Sequence, residues 1–132
     1  MADLPLTGTY TAQDSDNNTY QIHITSATPW DGQINGSYTA SDGPFGLFTK
    51  EEGQIGKYFW VGSPAGGNVP FSVYFVLVVR PGGWPYCICD TWTGAYMEDN
   101  TLLMEGVRSF VSADGTLKLT SFRELKFFRQ AV

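Results

Sequence analysis

The chain has little positive charge. Lys and Arg together number eight against thirteen Asp and Glu, a formal net charge of −5 over 132 residues, and the basic residues form no run. A phosphate backbone or an anionic membrane surface is met by clustered cations, so neither nucleic acid nor membrane is an expected partner. Histidine is limited to His23 and cysteine to Cys87 and Cys89. A C-x-C pair needs two more soft ligands to hold zinc, and one histidine does not supply them, so no metal is expected. On a strand those two cysteines share a face with Cα atoms roughly 6.5–7 Å apart. That is at or beyond disulfide reach, which predicts free thiols and mildly favours a reducing compartment. The longest apolar run, residues 73–79, is far too short for a spanning helix. Met1-Ala2-Asp3-Leu4-Pro5 lacks the charged and apolar regions of a secretion signal. The expectation is a soluble cytoplasmic protein, or a secreted one if a leader has been removed. No phosphate loop or dinucleotide fingerprint occurs, and Gly66-Gly67 and Gly82-Gly83 read as turns, so no cofactor is expected.

What the chain does have is 15% aromatic residues, fifteen glycines and 42% hydrophobic residues. That composition opposes disorder. The length fits one domain, residues 1–132, that buries roughly two-thirds of its unfolded surface. No window keeps a 3.6-residue apolar period; short alternating segments between turn residues dominate. Eight can be read, over residues 7–12, 18–25, 32–40, 56–62, 70–80, 85–96, 101–111 and 116–129. Most connections between them are of hairpin length, such as Asp14-Ser15-Asp16-Asn17, Glu98-Asp99-Asn100 and Ala113-Asp114-Gly115. The long one, residues 41–55, is expected to be a lid or binding loop. Eight strands joined in order predict an all-β, antiparallel up-and-down barrel, which removes its sheet edges by closing and can hold one small ligand. Residues 73–79, Leu102-Leu103-Met104 and Lys126-Phe127-Phe128 are apolar on both faces. Either a loop or terminus covers the outside of strands five to eight there, or these strands form a homo-oligomer interface, dimeric or tetrameric. Trp30 and Trp84, beside prolines at turns, are expected to pack over a barrel end or to form an aromatic rim, with Trp60 the remaining large single aromatic. His23 lies between Ile22 and Ile24 and is expected on the surface.

Several segments match a known family in order and spacing. Leu6-Thr7-Gly8-Thr9-Tyr10-Thr11 with Asn17-Asn18-Thr19-Tyr20-Gln21-Ile22 resembles the first hairpin of avidin and streptavidin. Gly32-Gln33-Ile34-Asn35-Gly36-Ser37-Tyr38-Thr39-Ala40 resembles the third strand, Pro70-Phe71-Ser72-Val73-Tyr74-Phe75 the fifth, and Thr91-Trp92-Thr93-Gly94-Ala95-Tyr96 the sixth. The resemblance implies a calycin-type barrel that binds a small molecule inside. It also implies which residues line the pocket. The family's ureido-binding Asn and Ser fall at Ala12 and Asp16, its ureido-binding Tyr is kept as Tyr38, and a nearby hydroxyl falls at Ala40. The strand-five Trp falls at Phe75. Strand six has Asp90 in place of a Thr and keeps an aromatic as Trp92. The strand-seven Trp falls near Glu105 or Gly106, the strand-eight Asn or Asp falls at Arg123, and the Trp that reaches a neighbouring subunit falls near Gly115. Most of the ring of partners that biotin's ureido group needs is therefore absent. Each missing partner leaves a buried polar atom unsatisfied at about 1–3 kcal/mol, so biotin binding is expected to be weak or lost.

Alternation places Asp90 inward with Ile88 and Trp92. Arg123 faces inward if Leu117, Leu119, Leu125 and Phe127 do, and Glu105 does if Val107 does. Lone charges inside a barrel pair with each other or meet a ligand. Arg123 could pair with Asp16 or Asp90 and simply close the barrel. It could also serve a ligand that carries a carboxylate or a hydrogen-bonding ring. Three functions stay open: a small-molecule carrier with a pocket of Tyr38, Phe75, Asp90, Trp92 and Arg123; a cofactor-independent isomerase, cyclase or lyase using Asp90 or Glu105 as acid/base with Tyr38; and a lectin- or toxin-like module that works through its loops.

Overall fold

A computed structural model of the chain describes residues 6–28, 31–42, 46–59, 70–80, 87–97 and 99–130, without the side chains of 42 and 123. Eight strands follow one another: β1 (Gly8–Gln13), β2 (Thr19–Ala27), β3 (Gln33–Asp42), β4 (Gly46–Phe59), β5 (Phe71–Val79), β6 (Ile88–Tyr96), β7 (Leu102–Val111) and β8 (Leu117–Arg129). Each pairs antiparallel with the next, and β1 closes on β8 through Tyr10 opposite Arg129 and Thr11 opposite Phe128. The expected closed eight-stranded barrel is present. None of the described residues forms a helix long and apolar enough to cross a membrane.

Alternation drives the closure. On β5, Phe71, Val73, Phe75, Leu77 and Val79 turn inward while Ser72, Val76 and Val78 are exposed. On β2, Tyr20, Ile22 and Ile24 are buried, and His23 is exposed with Nδ1 2.7 Å from the Thr9 hydroxyl. The hairpins β1–β2, β3–β4, β5–β6 and β7–β8 turn at one end, here the upper. The start of β1, the end of β8 and the hairpins β2–β3 and β6–β7 lie at the lower end. At four turns an Asp reaches ahead to the backbone: Asp14 accepts from the Asp16 and Asn18 N–H groups, Asp31 from Gln33 and Asp114 from Thr116, all at 2.9 Å, and Asp99 from Thr101. Asn17 and Asn100 take left-handed conformations within two of these turns.

Two expectations are corrected. The stretch 41–55 is not a long loop: β4 begins at Gly46, and only 43–45 separate it from β3. Two bulges against β3 each add a residue to β4, so its buried positions lose the two-residue period that marks a strand. Leu117 and Leu119 do not face inward; they are 61% and 66% exposed. A bulge sets both Arg123 and Glu124 opposite Glu105, so the residues before it point the other way from the phase set by Phe127. Val76, Val78, Val107, Val111, Leu117 and Leu119 form an exposed apolar outer face on β5–β8. Trp30, Trp60 and Trp84 lie outside the described residues. Cys87 and Cys89 are free.

Candidate functional site

The upper half of the interior holds a charged cluster. Asp90 on β6 and Arg108 on β7 sit directly opposite each other on adjacent strands, 0% and 1% exposed. Arg108 donates from Nε to Asp90 Oδ1 at 2.7 Å and from Nη2 to Oδ2 at 2.8 Å. Tyr38, reaching across from β3, donates its hydroxyl to the same Oδ2 at 2.8 Å. The carboxylate thus accepts three hydrogen bonds, two of them a bidentate fork. Burial pushes the Tyr38 hydroxyl well above the usual phenol range, and the neighbouring Asp90 charge pushes it the same way. Tyr38 is therefore a fixed donor at neutral pH.

Aromatic rings enclose this cluster. The Arg108 guanidinium lies 5.1 Å from the centre of Phe48 on β4 and 4.9 Å from that of Phe122 on β8. Phe122 stacks on Trp92 at 4.8 Å and 11°, and Tyr20 meets Trp92 edge-on at 5.5 Å. The stack depends on Gly106: a Cβ there would stand 2.7 Å from the Trp92 ring and 2.9 Å from Phe122. The Trp92 indole is fully buried and its N–H has no hydrogen-bond partner among the described residues. It lies near enough to the Tyr38 oxygen to favour a phenolate, without hydrogen-bond geometry. A second buried group without a hydrogen-bond partner among the described residues, the Tyr58 hydroxyl, sits near the lower end.

The expected pocket residues divide clearly. Tyr38, Ala40, Phe75, Asp90, Trp92 and Ala12 are all buried on the inner wall. Asp16 is not part of it; it is exposed in the β1–β2 turn, where Asp14 holds its N–H. Glu105 is also exposed, because β7 buries Leu102, Met104, Gly106 and Arg108 and turns Glu105 and Val107 outward. It therefore does not join Asp90 near Tyr38. The side chain of Arg123 lies outside the described residues; the arginine on Asp90 is Arg108. Sequence reasoning missed Arg108, although the turn carried the signal. A hairpin centred on Asp99 pairs positions that sum to 198, and 90 plus 108 is 198.

Among the described residues no three His, Cys, Asp or Glu side chains converge as metal ligands would. With Tyr38 held as a phenol and both Asp90 oxygens engaged, the cluster is arranged to hold charge within an aromatic cage. It is poorly arranged to pass a proton. The architecture is that of a closed antiparallel barrel with a polar upper interior. No family model, curated protein or solved structure matches the chain.

Proposed function

We propose that the chain is a small-molecule-binding barrel of the avidin type, with the biotin contacts replaced and the pocket rebuilt around Asp90, Arg108 and Tyr38. The observation that carries this reading is the fully buried ion pair within an aromatic cage at one end of the interior. A buried ion pair adds little stability over well-packed apolar residues of the same volume. A charged pair retained in a barrel this small therefore fits recognition better than folding. The buried, unpartnered Trp92 N–H supports it too, as a donor at the same place.

The same wall argues against biotin. Ala12 and Ala40 offer no side-chain hydrogen bond, Asp16 is outside the pocket, and the Tyr38 hydroxyl is already given to Asp90. A buried ureido group would leave several atoms unsatisfied, each at about 1–3 kcal/mol. A Tyr38 hydroxyl committed to Asp90, and Asp90 oxygens both engaged by hydrogen bonds, favour a carrier over an isomerase, cyclase or lyase. The apolar outer face of β5–β8 supports a homo-oligomer.

Native mass spectrometry of the protein from its own source, with biotin calorimetry beside it, tests this reading. The expected result is an oligomer that retains a small non-biotin mass, with little or no heat from biotin at micromolar concentration. A bare polypeptide mass would remove the carrier reading, and tight biotin binding would overturn the rebuilt pocket.

A further inference from the structure

The Arg108 head group is held as a free planar cation would be. A carboxylate grips it in the guanidinium plane through Nε and Nη2, and aromatic rings flank it at 5.1 and 4.9 Å. Tyr38 braces the carboxylate from the other side of the barrel. In-plane carboxylate and flanking π-faces together select guanidinium over a compact ammonium, which lacks the flat fork. The chain places its own side chain in the position this geometry would give a ligand.

We propose that this cluster is a binding site for a planar cation of the guanidinium or amidinium class, filled in the resting barrel by Arg108 and taken over when a ligand with the same head group replaces it. The assignment rests on the small-molecule reading above and names its ligand class. Charge balance decides the sign of the ligand. An anion would have to share the guanidinium with Asp90 and set a second negative charge beside a buried carboxylate, or draw Arg108 away and leave that carboxylate unpaired; both are expensive for an interior charge. A cation that displaces Arg108 leaves Asp90 paired. Arg108 stands three residues before the end of β7, and displacement requires its long stem to swing the head group out past Phe48 and Phe122.

The test is Arg108→Ala, titrated with methylguanidinium and acetamidinium at millimolar concentration and followed by thermal melting and calorimetry. Methylammonium and acetate serve as controls. The variant should be restored by both planar cations, at concentrations at least tenfold lower than any effect on the unmodified protein. Methylammonium should be at least tenfold weaker. Equal rescue by methylammonium, no rescue at all, or a larger shift of the unmodified protein by acetate would overturn the assignment. If Arg108→Ala does not fold alone, refolding it with each ion present gives the same reading: folded protein should be recovered only with the planar cations. In Arg108→Ala/Asp90→Asn the response must vanish, and a persisting response also overturns the site. An anionic or neutral molecule retained by the native protein, together with failed rescue, would sink this ligand class and leave the small-molecule reading standing.

Discussion

The upper and lower halves of the barrel are built on the same eight strands but lined for different purposes. Above, an ion pair and a hydroxyl occupy the centre of an aromatic cage. Below, Leu6, Tyr10, Ile24, Tyr58, Phe71, Tyr96, Leu102 and Phe127 pack as an apolar plug, with Phe71 and Tyr96 stacked at 5.0 Å. Contacts between the start of β1 and the end of β8 close that end. Arg129 lies over the Tyr10 ring and donates to the Thr7 carbonyl, the Tyr10 hydroxyl donates to Leu6 at 2.8 Å, and Gln130 N–H donates to Thr9 at 2.8 Å. The lower half thus supplies closure and packing. That leaves the upper half able to carry a polar site that contributes little to folding.

The sharpest way to break this contrast is to remove one charge from each end. Asp90→Ala leaves Arg108 buried without its carboxylate and should cost about 3–5 kcal/mol in urea unfolding. Replacing both partners with apolar residues, as in Asp90→Leu/Arg108→Met, should recover most of that loss. At the lower end, Lys126→Ala breaks the exposed 2.9 Å pair with Asp99 and should cost no more than about 1 kcal/mol. If Asp90→Ala proved as mild as Lys126→Ala, the buried cluster would not be the isolated charge site described here.

Much of this was legible in the sequence, for reasons that differ between strands. Strands such as β2 and β5 bury every second residue, and there alternation gave both the boundaries and the inner face. Asp90 was readable as inward for the same reason, between Ile88 and Trp92. The failures fall where bulges or two-sided apolarity erase the period. β4 carries two bulges, and its residues 46–55 read as a loop, while 56–59 fall within the expected fourth strand. Leu102-Leu103-Met104 is apolar throughout, so it does not fix the phase of β7; Glu105 faces inward only if Val107 does, and both turn outward while Arg108 is buried. Leu117 and Leu119 suggested an inner face that the β8 bulge reverses. Asp16 was carried in by family resemblance, while the residue that organises its turn is Asp14.

A gentler comparison uses two buried tyrosine hydroxyls. Tyr38 donates to a charged acceptor, whereas the Tyr58 hydroxyl is buried with no partner. Phenylalanine removes only the oxygen in each case. Tyr38→Phe should cost about 1–3 kcal/mol, because Asp90 loses one of its three donors. Tyr58→Phe should be neutral or stabilise by up to about 1 kcal/mol, since it relieves an unsatisfied group. Equal denaturation midpoints for the two variants would erase the distinction between a polar upper site and an apolar lower plug.

The smallest effects belong to the turns, and there the two ends should behave alike. The Ser112 hydroxyl and then the Thr116 N–H hold Asp114 down to about 2. Asp31 is lowered by the Gln33 N–H and then the Thr28 hydroxyl, and Asp99 by the Thr101 hydroxyl and then Lys126. For Asp14, slight burial pushes upward, but hydrogen bonds from the Asn18 side chain and backbone outweigh it. A carboxyl whose folded value lies below its unfolded value, about 3.8, stabilises the fold above that pH and loses the contribution as pH falls through the folded value. Thermal midpoints should therefore hold from neutral pH to about 5 and decline from about 4 toward 2. Asp114→Asn should shrink the lowest part of that decline. Tyr38 and Tyr58 work in the opposite direction: burial raises both, so their contribution is complete below the ordinary phenol value and fades as pH climbs past about 10. A protein whose acid limb is unchanged by Asp114→Asn would place its acid sensitivity in the other turn carboxylates, Asp14, Asp31 and Asp99.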